Sequence, residues 1–300
     1  MPKMSGLGKN MPTAPSSISV VIPVYNRWST LARALTSVCA QSHPAEEIVV
    51  VDDGSDTPAP NCLRRQFADV QFLRQENRGV AHARNTGIKK CSGNWIALLD
   101  SDDEWESCKL EKQVEHQRAH PSLMAVHTGE KWIRNSNEVI PPAYLDKSTN
   151  DLWERSLKNC LICPSSVFLH RRVFDEVGGF DESLAVCEDY DFWLRLLLRM
   201  DIGLVDKKLV RKHGGHADQL STTTWGMDRY RVQSLEKILT TCSLSQEQEE
   251  ALISTLTEKL SILADGAAKR GKIEQAKQYR EVLQKYQPTP HPGNQARLNQ

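Results

Sequence analysis

Apolar runs and polar stretches alternate along the first third of the chain with a regular beat. Residues 18 to 24 (ISVVIPV), 48 to 52 (IVVVD), 70 to 73 (VQFL) and 95 to 99 (WIALL) are short and mostly apolar, with helix-length stretches between most of them. Continuous apolar runs with helical spacers predict strands buried on both faces of a parallel sheet. The spacers agree. Leu31, Leu35 and Val38 recur at helical spacing within 29 to 39, as do Val80, Ala83 and Ile88 within 79 to 89. Such an α/β sheet gathers ligands at the carboxyl ends of its strands, so the residues that follow each run are the chemical candidates.

The rhythm loosens between 120 and 225, where strands are expected at 123 to 127 and 166 to 170 and helices at 106 to 119 and 189 to 199. Beyond 226 the periodicity becomes helical only. Residues 247 to 263 and 272 to 286, joined around Gly271, predict a pair of antiparallel helices. The organisation expected is therefore a loose arm over 1 to 16, an α/β domain over 17 to 225 in two halves (17 to 104 and 105 to 225), a helical extension over 226 to 287 and a disordered tail over 288 to 300. The arm lacks the apolar core of a signal peptide. No window approaches the roughly 18 apolar residues of a membrane span.

Composition narrows the classes without choosing among them. Lys plus Arg and Asp plus Glu both total 38 in 300 residues, so the formal net charge is zero and nothing in it calls for a nucleic-acid partner or a strongly anionic surface. At 39% hydrophobic and 25% charged, the chain is that of an ordinary globular protein. The eight cysteines show no repeated spacing and read as reduced thiols of a cytoplasmic protein. Cys160-Leu-Ile-Cys163 lacks the second ligand pair a zinc site needs.

Chemistry gathers at the strand ends. The first run ends in Pro23-Val24-Tyr25-Asn26-Arg27 and the second in Asp52-Asp53-Gly54-Ser55-Asp56. Carboxylates there can accept from a ring N–H or a ribose hydroxyl, or else close an Asx turn and cap the next helix. The fourth run ends in Asp100-Ser101-Asp102-Asp103-Glu104, where so many like charges need a cation or a helix N-terminus beside them. Hard cations such as Mg²⁺ and Mn²⁺ choose oxygen ligands and are completed by substrate phosphates, so an Asp-x-Asp facing a second Asp pair fits a nucleoside-diphosphate site. Between them, Arg78 and Arg84 offer cationic forks to a base, ribose or phosphate.

VIPVYNR, VVDDGSD, ENRGVAHARNTG, LLDSDDEW and CEDYDFWLR, in this order, resemble the family-two inverting glycosyltransferases of the GT-A fold over residues 17 to 225. The resemblance implies a Rossmann-like mixed sheet flanked by helices, with a nucleotide-sugar half followed by an acceptor half. It assigns Pro23, Tyr25, Asp52 or Asp53, and Arg78 to base and ribose, with Asn26, Arg27, Arg84 and Ser101 beside them. Asp100 and Asp102 fall to ribose, diphosphate and metal. Asp189, next to Glu188, becomes the catalytic base. His216, with His213 behind it, is the candidate third metal ligand.

The implied reaction is metal-dependent, non-processive transfer from a nucleotide sugar, UDP-sugar by preference, to a hydroxyl of a glycan or lipid-linked acceptor. No Gln-x-x-Arg-Trp of processive synthases is present. Work on lipid-linked glycans would bring the chain to the inner face of the membrane as a peripheral protein. The C-terminal helices could cover the acceptor, pair two copies into a homodimer or recruit a membrane complex. A dinucleotide oxidoreductase would need G-x-G-x-x-G after a strand, which is missing. A sugar-1-phosphate nucleotidyltransferase would show a glycine-rich basic loop where this chain has PVYNR. The alternative is a non-catalytic nucleotide-sugar-binding or scaffolding module of a glycan-assembly complex.

Overall fold

Four parallel strands open the fold: β1 (Ile18–Val24), β2 (Glu47–Asp52), β3 (Gln71–Arg74) and β4 (Trp95–Leu98), in spatial order β3-β2-β1-β4. The computed structural model describes residues 17 to 215 and 225 to 286. Every residue of β1 is buried. One face, through Val20 and Ile22, meets Leu31 and Leu35 of helix α1 (Trp28–Cys39) and Leu63 of α2 (Asn61–Gln66). The other face, through Val21, meets helix α3 (Val80–Lys90).

Gly87 is the point of closest approach. A Cβ there would lie 2.3 Å from Val21 Cγ1 and 3.2 Å from Val51 Cγ2. Gly87→Ala would gain about 1 kcal/mol of helix propensity but pay about 1–3 kcal/mol for overpacking against a central strand that cannot retreat. Overpacking wins, so a lower urea midpoint is expected.

The sheet then turns mixed. After β5 (Glu104–Trp105) come α4 (Lys109–Ala119), β6 (Ala125–Arg134), β7 (Asn137–Val139), α5 (Leu152–Lys158), β8 (Phe168–His170), α6 (Arg172–Val177), α7 (Glu188–Arg199) and β9 (Gly203–Gly214). β8 pairs antiparallel with both β4 and β6, β6 runs parallel to β9, and β5 closes the order antiparallel to β9. This is the GT-A architecture that the motifs imply.

Most expected elements are present with ends moved by a few residues. The exceptions have physical causes. The helix expected from 106 begins at Lys109, because Glu104 and Trp105 are drawn into the sheet by β9. The strand expected at 123 to 127 starts at Ala125 and runs on to Arg134, since polar Glu130 is buried there against lysines. The strand expected at 166 to 170 is preceded by a 3₁₀ turn over Pro164–Ser166. β9 is not foreseen at all.

The chain divides into two compact units, Met1–Trp225 and Gly226–Gln300. The second holds α8 (Asp228–Thr241), α9 (Gln246–Lys269) and α10 (Ile273–Gln284), so the expected helix pair has a third member. Ser245 and Gln248 form a reciprocal capping box at the start of α9, and Gly271, at φ +72°, turns the chain into α10. Lys259 on α9 is paired with Asp228 at 3.1 Å. No helix among the described residues is long and apolar enough to cross a membrane.

Candidate active site

The carboxyl ends of β1, β2 and β4 lie side by side in register, with Val24 opposite Asp52 and Val21 opposite Leu98. That register brings residues 25 to 27, 52 to 56 and 99 to 103 to one edge. Pro23 is buried within β1, and Tyr25 is the first side chain to leave the sheet, 47% exposed. Asn26 adopts φ 54° and interlocks with the neighbouring turn. Its N–H donates to Ser55 Oγ at 2.9 Å, its Nδ2 to Asp56 at 3.0 Å, and its Oδ1 accepts the Asp56 N–H at 2.8 Å.

The first acidic pair shapes this edge. Asp52 Oδ1 accepts the Ser55 N–H at 2.9 Å in an Asx turn, while Oδ2 faces Arg74 at 3.2 Å. Asp53 Oδ1 accepts from Gln75 Nε2 at 2.7 Å and the Arg78 N–H at 3.0 Å, and Oδ2 accepts the Gly79 N–H at 2.8 Å. Both carboxylates are buried, and they hold the 53–56 and 75–79 turns. Gly54 lets the two turns touch: its φ is +75°, and a Cβ would sit 2.6 Å from the Asn77 nitrogen. The Arg78 side chain is exposed, 3.5 Å from Glu182.

The second acidic group divides among three environments. Asp102 pairs closely with Arg27, and its carbonyl accepts from Arg33 at 2.7 Å. Asp103 is buried, accepting from Ser165 Oγ at 2.6 Å and the His213 N–H at 3.0 Å. Burial, then the neighbouring Asp102 and Asp100, push its carboxyl well above the usual range. Ser101 is buried at the turn between them. Asp100, still 30% exposed, is held by Arg84 at 2.6 Å.

Arg84 ties this strand end to α7. It is 3% exposed, with Nη2 on Asp100 and Nη1 on Glu188 Oε1 at 2.5 Å, and its guanidinium lies 5.3 Å from the centre of the Phe180 ring. The fork that the sequence offers to a nucleotide is thus occupied by two carboxylates. Glu188 points inward. Burial and the adjacent Asp189 raise its carboxyl above the ordinary value against the pull of Arg84.

Asp189 remains partly exposed at the N-terminus of α7. Oδ1 accepts the Tyr190 N–H at 2.7 Å and Oδ2 accepts from the Cys160 thiol at 3.4 Å. Burial keeps that thiol protonated, well above its usual range, so it acts as a donor. Cys187 caps the helix at φ 64°, and from its first turn Glu188 reaches Arg84, which also holds Asp100 at the end of β4.

Of the expected carboxylates, Asp100 and Glu188 meet on Arg84 with Asp189 next in the chain, whereas Asp52 and Asp53 hold turns of their own and Asp102 is on Arg27. Cys160 and Ser165 are the participants not foreseen from the sequence: Cys160 is weighed there only as half of a CxxC pair, Ser165 belongs to no motif, and both reach the site from between α5 and β8. His213 donates its Nε2 side to Glu104 at 2.5 Å, and His216 lies outside the described residues. Asp100 and Asp102 offer carboxylate oxygens at a partly exposed edge, the donor type Mg²⁺ or Mn²⁺ takes together with substrate phosphates, while among the described residues no group of three or more His, Cys, Asp or Glu is placed to hold a metal ion.

Known proteins resemble this chain at several levels. The family model for glycosyl transferase family 2 matches residues 19–178. An uncharacterized glycosyltransferase of Rickettsia bellii is 30% identical over 73% of this chain, which spans 32% of that protein's length. The Escherichia coli UDP-Glc:alpha-D-GlcNAc-diphosphoundecaprenol beta-1,3-glucosyltransferase WfgD is 31% identical over 63% of this chain and 73% of its own. Staphylococcus aureus TarS 1–349, in a crystal structure with UDP-GlcNAc, shares the fold at a TM-score of 0.61 with 16% identity, over 90% of this chain and 92% of that one.

Proposed function

The chain belongs to glycosyl transferase family 2, and on that premise we propose that it catalyses inverting, non-processive transfer of a sugar from a UDP-sugar to a hydroxyl of a glycan or lipid-linked acceptor. One observation carries the reading: the Arg84 fork joins Asp100 at the end of β4 to Glu188 beside Asp189, so the leaving-group end and the basic end belong to one site.

Each residue then has a task. Tyr25 and the turns held by Asp52 and Asp53 receive the base and ribose, with Arg78 at the rim. Asp189 takes the proton from the acceptor hydroxyl as its oxygen bonds to the anomeric carbon. The bond from that carbon to the diphosphate breaks on the opposite face, and its electron pair leaves with the nucleoside diphosphate, which inverts the centre. A general base suits Asp189 because its carboxylate is partly exposed and rests on a helix N-terminus. Glu188, spent on Arg84, positions that helix start.

Asp100 and Asp102 would hold the divalent cation. When bound, it offsets charge on the departing diphosphate. Arg27, paired with Asp102, lies where it would meet a phosphate of the donor.

A nucleotide-sugar screen by thermal shift, with and without Mn²⁺, tests donor and metal together. A UDP-sugar at a hundredfold excess over its Kd should add about 2.7 kcal/mol of stability. The expected result is a clear rise in Tm that needs Mn²⁺ and is lost in Asp102→Asn. Stabilisation by GDP- or dTDP-sugars instead would overturn the choice of UDP. No stabilisation by any nucleotide sugar would overturn the reading as a whole.

A further inference from the structure

A basic cluster beside Asp189 has no part in the steps above. Glu130 on β6 is buried, and two ammonium groups face it: Lys147 in a close ion pair and Lys212 of β9 at 3.9 Å. Burial works to raise the Glu130 carboxyl, but Lys212 and Lys147 outweigh it and hold it down at about 2. Lys147 also donates to the Leu161 carbonyl at 2.6 Å, one residue from the Cys160 thiol that touches Asp189. Lys212 precedes His213, whose N–H is bound to Asp103. The cluster thus lies between the base and the acidic strand end.

An aromatic ring and a third cation extend it. Trp132 pairs with Lys212 across β6 and β9, and Arg134 pairs with Gly214. The Arg134 guanidinium is 5.3 Å from the Trp132 ring centre and the Lys212 ammonium 5.7 Å. Gly214 makes room for Arg134, since a Cβ there would fall 1.9 Å from its Nη1. Among the described residues Arg134 pairs with no carboxylate, while Lys147 and Lys212 share Glu130 and Lys212 is also drawn to buried Asp103.

Resting on the glycosyl-transfer reading, we infer that Arg134, Lys147 and Lys212 bind a phosphate ester of the acceptor, with a sugar ring of that acceptor against Trp132. A lone carboxylate would need only one of these cations. Three of them around an aromatic face suit the greater charge of a phosphate or diphosphate ester next to a sugar. An acceptor whose hydroxyl is at Asp189 has its neighbouring groups within reach of this cluster.

The test compares two acceptors with UDP-glucose and UDP-GlcNAc as donors: decyl N-acetylglucosaminyl diphosphate, and the decyl glycoside lacking the diphosphate. The diphosphate ester should show a KM lower by about tenfold or more, as expected for one or two charge-assisted hydrogen bonds. In Arg134→Met and in Lys212→Met the two KM values should converge, through a rise for the diphosphate ester alone. Lys147 is left intact so that Glu130 keeps its close ion pair in both variants.

Equal KM values in the unaltered enzyme, a parallel rise for both acceptors in the variants, or UDP release that neither acceptor accelerates would overturn the subsite. No UDP release under any condition would overturn the glycosyl-transfer reading, and the subsite with it.

Discussion

Asp189→Asn is expected to lower kcat by about 10²–10⁴-fold, the usual worth of a positioned general base. The substitution preserves shape, and the amide oxygen can still accept the Tyr190 N–H or the Cys160 thiol, so the fold and the donor site should survive. Stabilisation by UDP-sugar and Mn²⁺ in the thermal-shift assay should therefore match that of the unaltered protein. Glu188→Gln is the informative contrast. Its carboxylate is turned to Arg84 and not to solvent, so it should cost less in kcat than Asp189→Asn. Transfer at an unchanged rate in Asp189→Asn, or a larger loss in Glu188→Gln, would remove Asp189 from the role of base.

Arg84→Met should be the most destabilising single change near the site, by about 3–5 kcal/mol, because it leaves buried Glu188 uncompensated and Asp100 without its partner. Arg84→Lys keeps one charge but cannot span both carboxylates, and should fall between. Urea unfolding followed by tryptophan fluorescence would give the order.

The pH dependence separates lost charge compensation from lost packing. In the folded protein burial and Asp189 already raise the Glu188 carboxyl, and removing Arg84 raises it further. The folded variant then binds a proton more readily than its unfolded chain, so its stability must fall as pH rises through the folded pKa. The gap between Arg84→Met and the unaltered protein should narrow on going from about pH 8 to about pH 5. A gap that does not change with pH would mean that Arg84 acts through packing on Phe180 alone.

How much of this was legible in the chain follows from where the signals are local. β1, β2 and β4 are readable because burial on both faces leaves an unbroken apolar run. β9 is hidden because its sequence, GLVDKKLVRKHG, carries Asp206, Lys207 and Lys208 on exposed positions beside a register shift in its pairing with β6. Period-two alternation is broken there, and the segment reads as a polar loop. Buried Glu130 disguises β6 in the same way. In the helical unit, α8 is not foreseen because its buried apolar positions, Val232, Leu235 and Ile238, are few.

The acidic motifs at the strand ends, and the Glu188-Asp189 pair at the start of α7, were determined by the sequence itself. Each is a short cluster of like charge next to an apolar element, and their order carries the family resemblance. Which partner each carboxylate meets was decided only by the tertiary structure. Asp53 spends its oxygens on backbone N–H groups about 25 residues away, Arg84 reaches 104 residues to Glu188, and Cys160 comes from the loop between α5 and β8, 29 residues before Asp189, to meet it. Such assignments depend on which groups burial deprives of water, and burial is a property of the packed sheet and helices, not of any local stretch of chain.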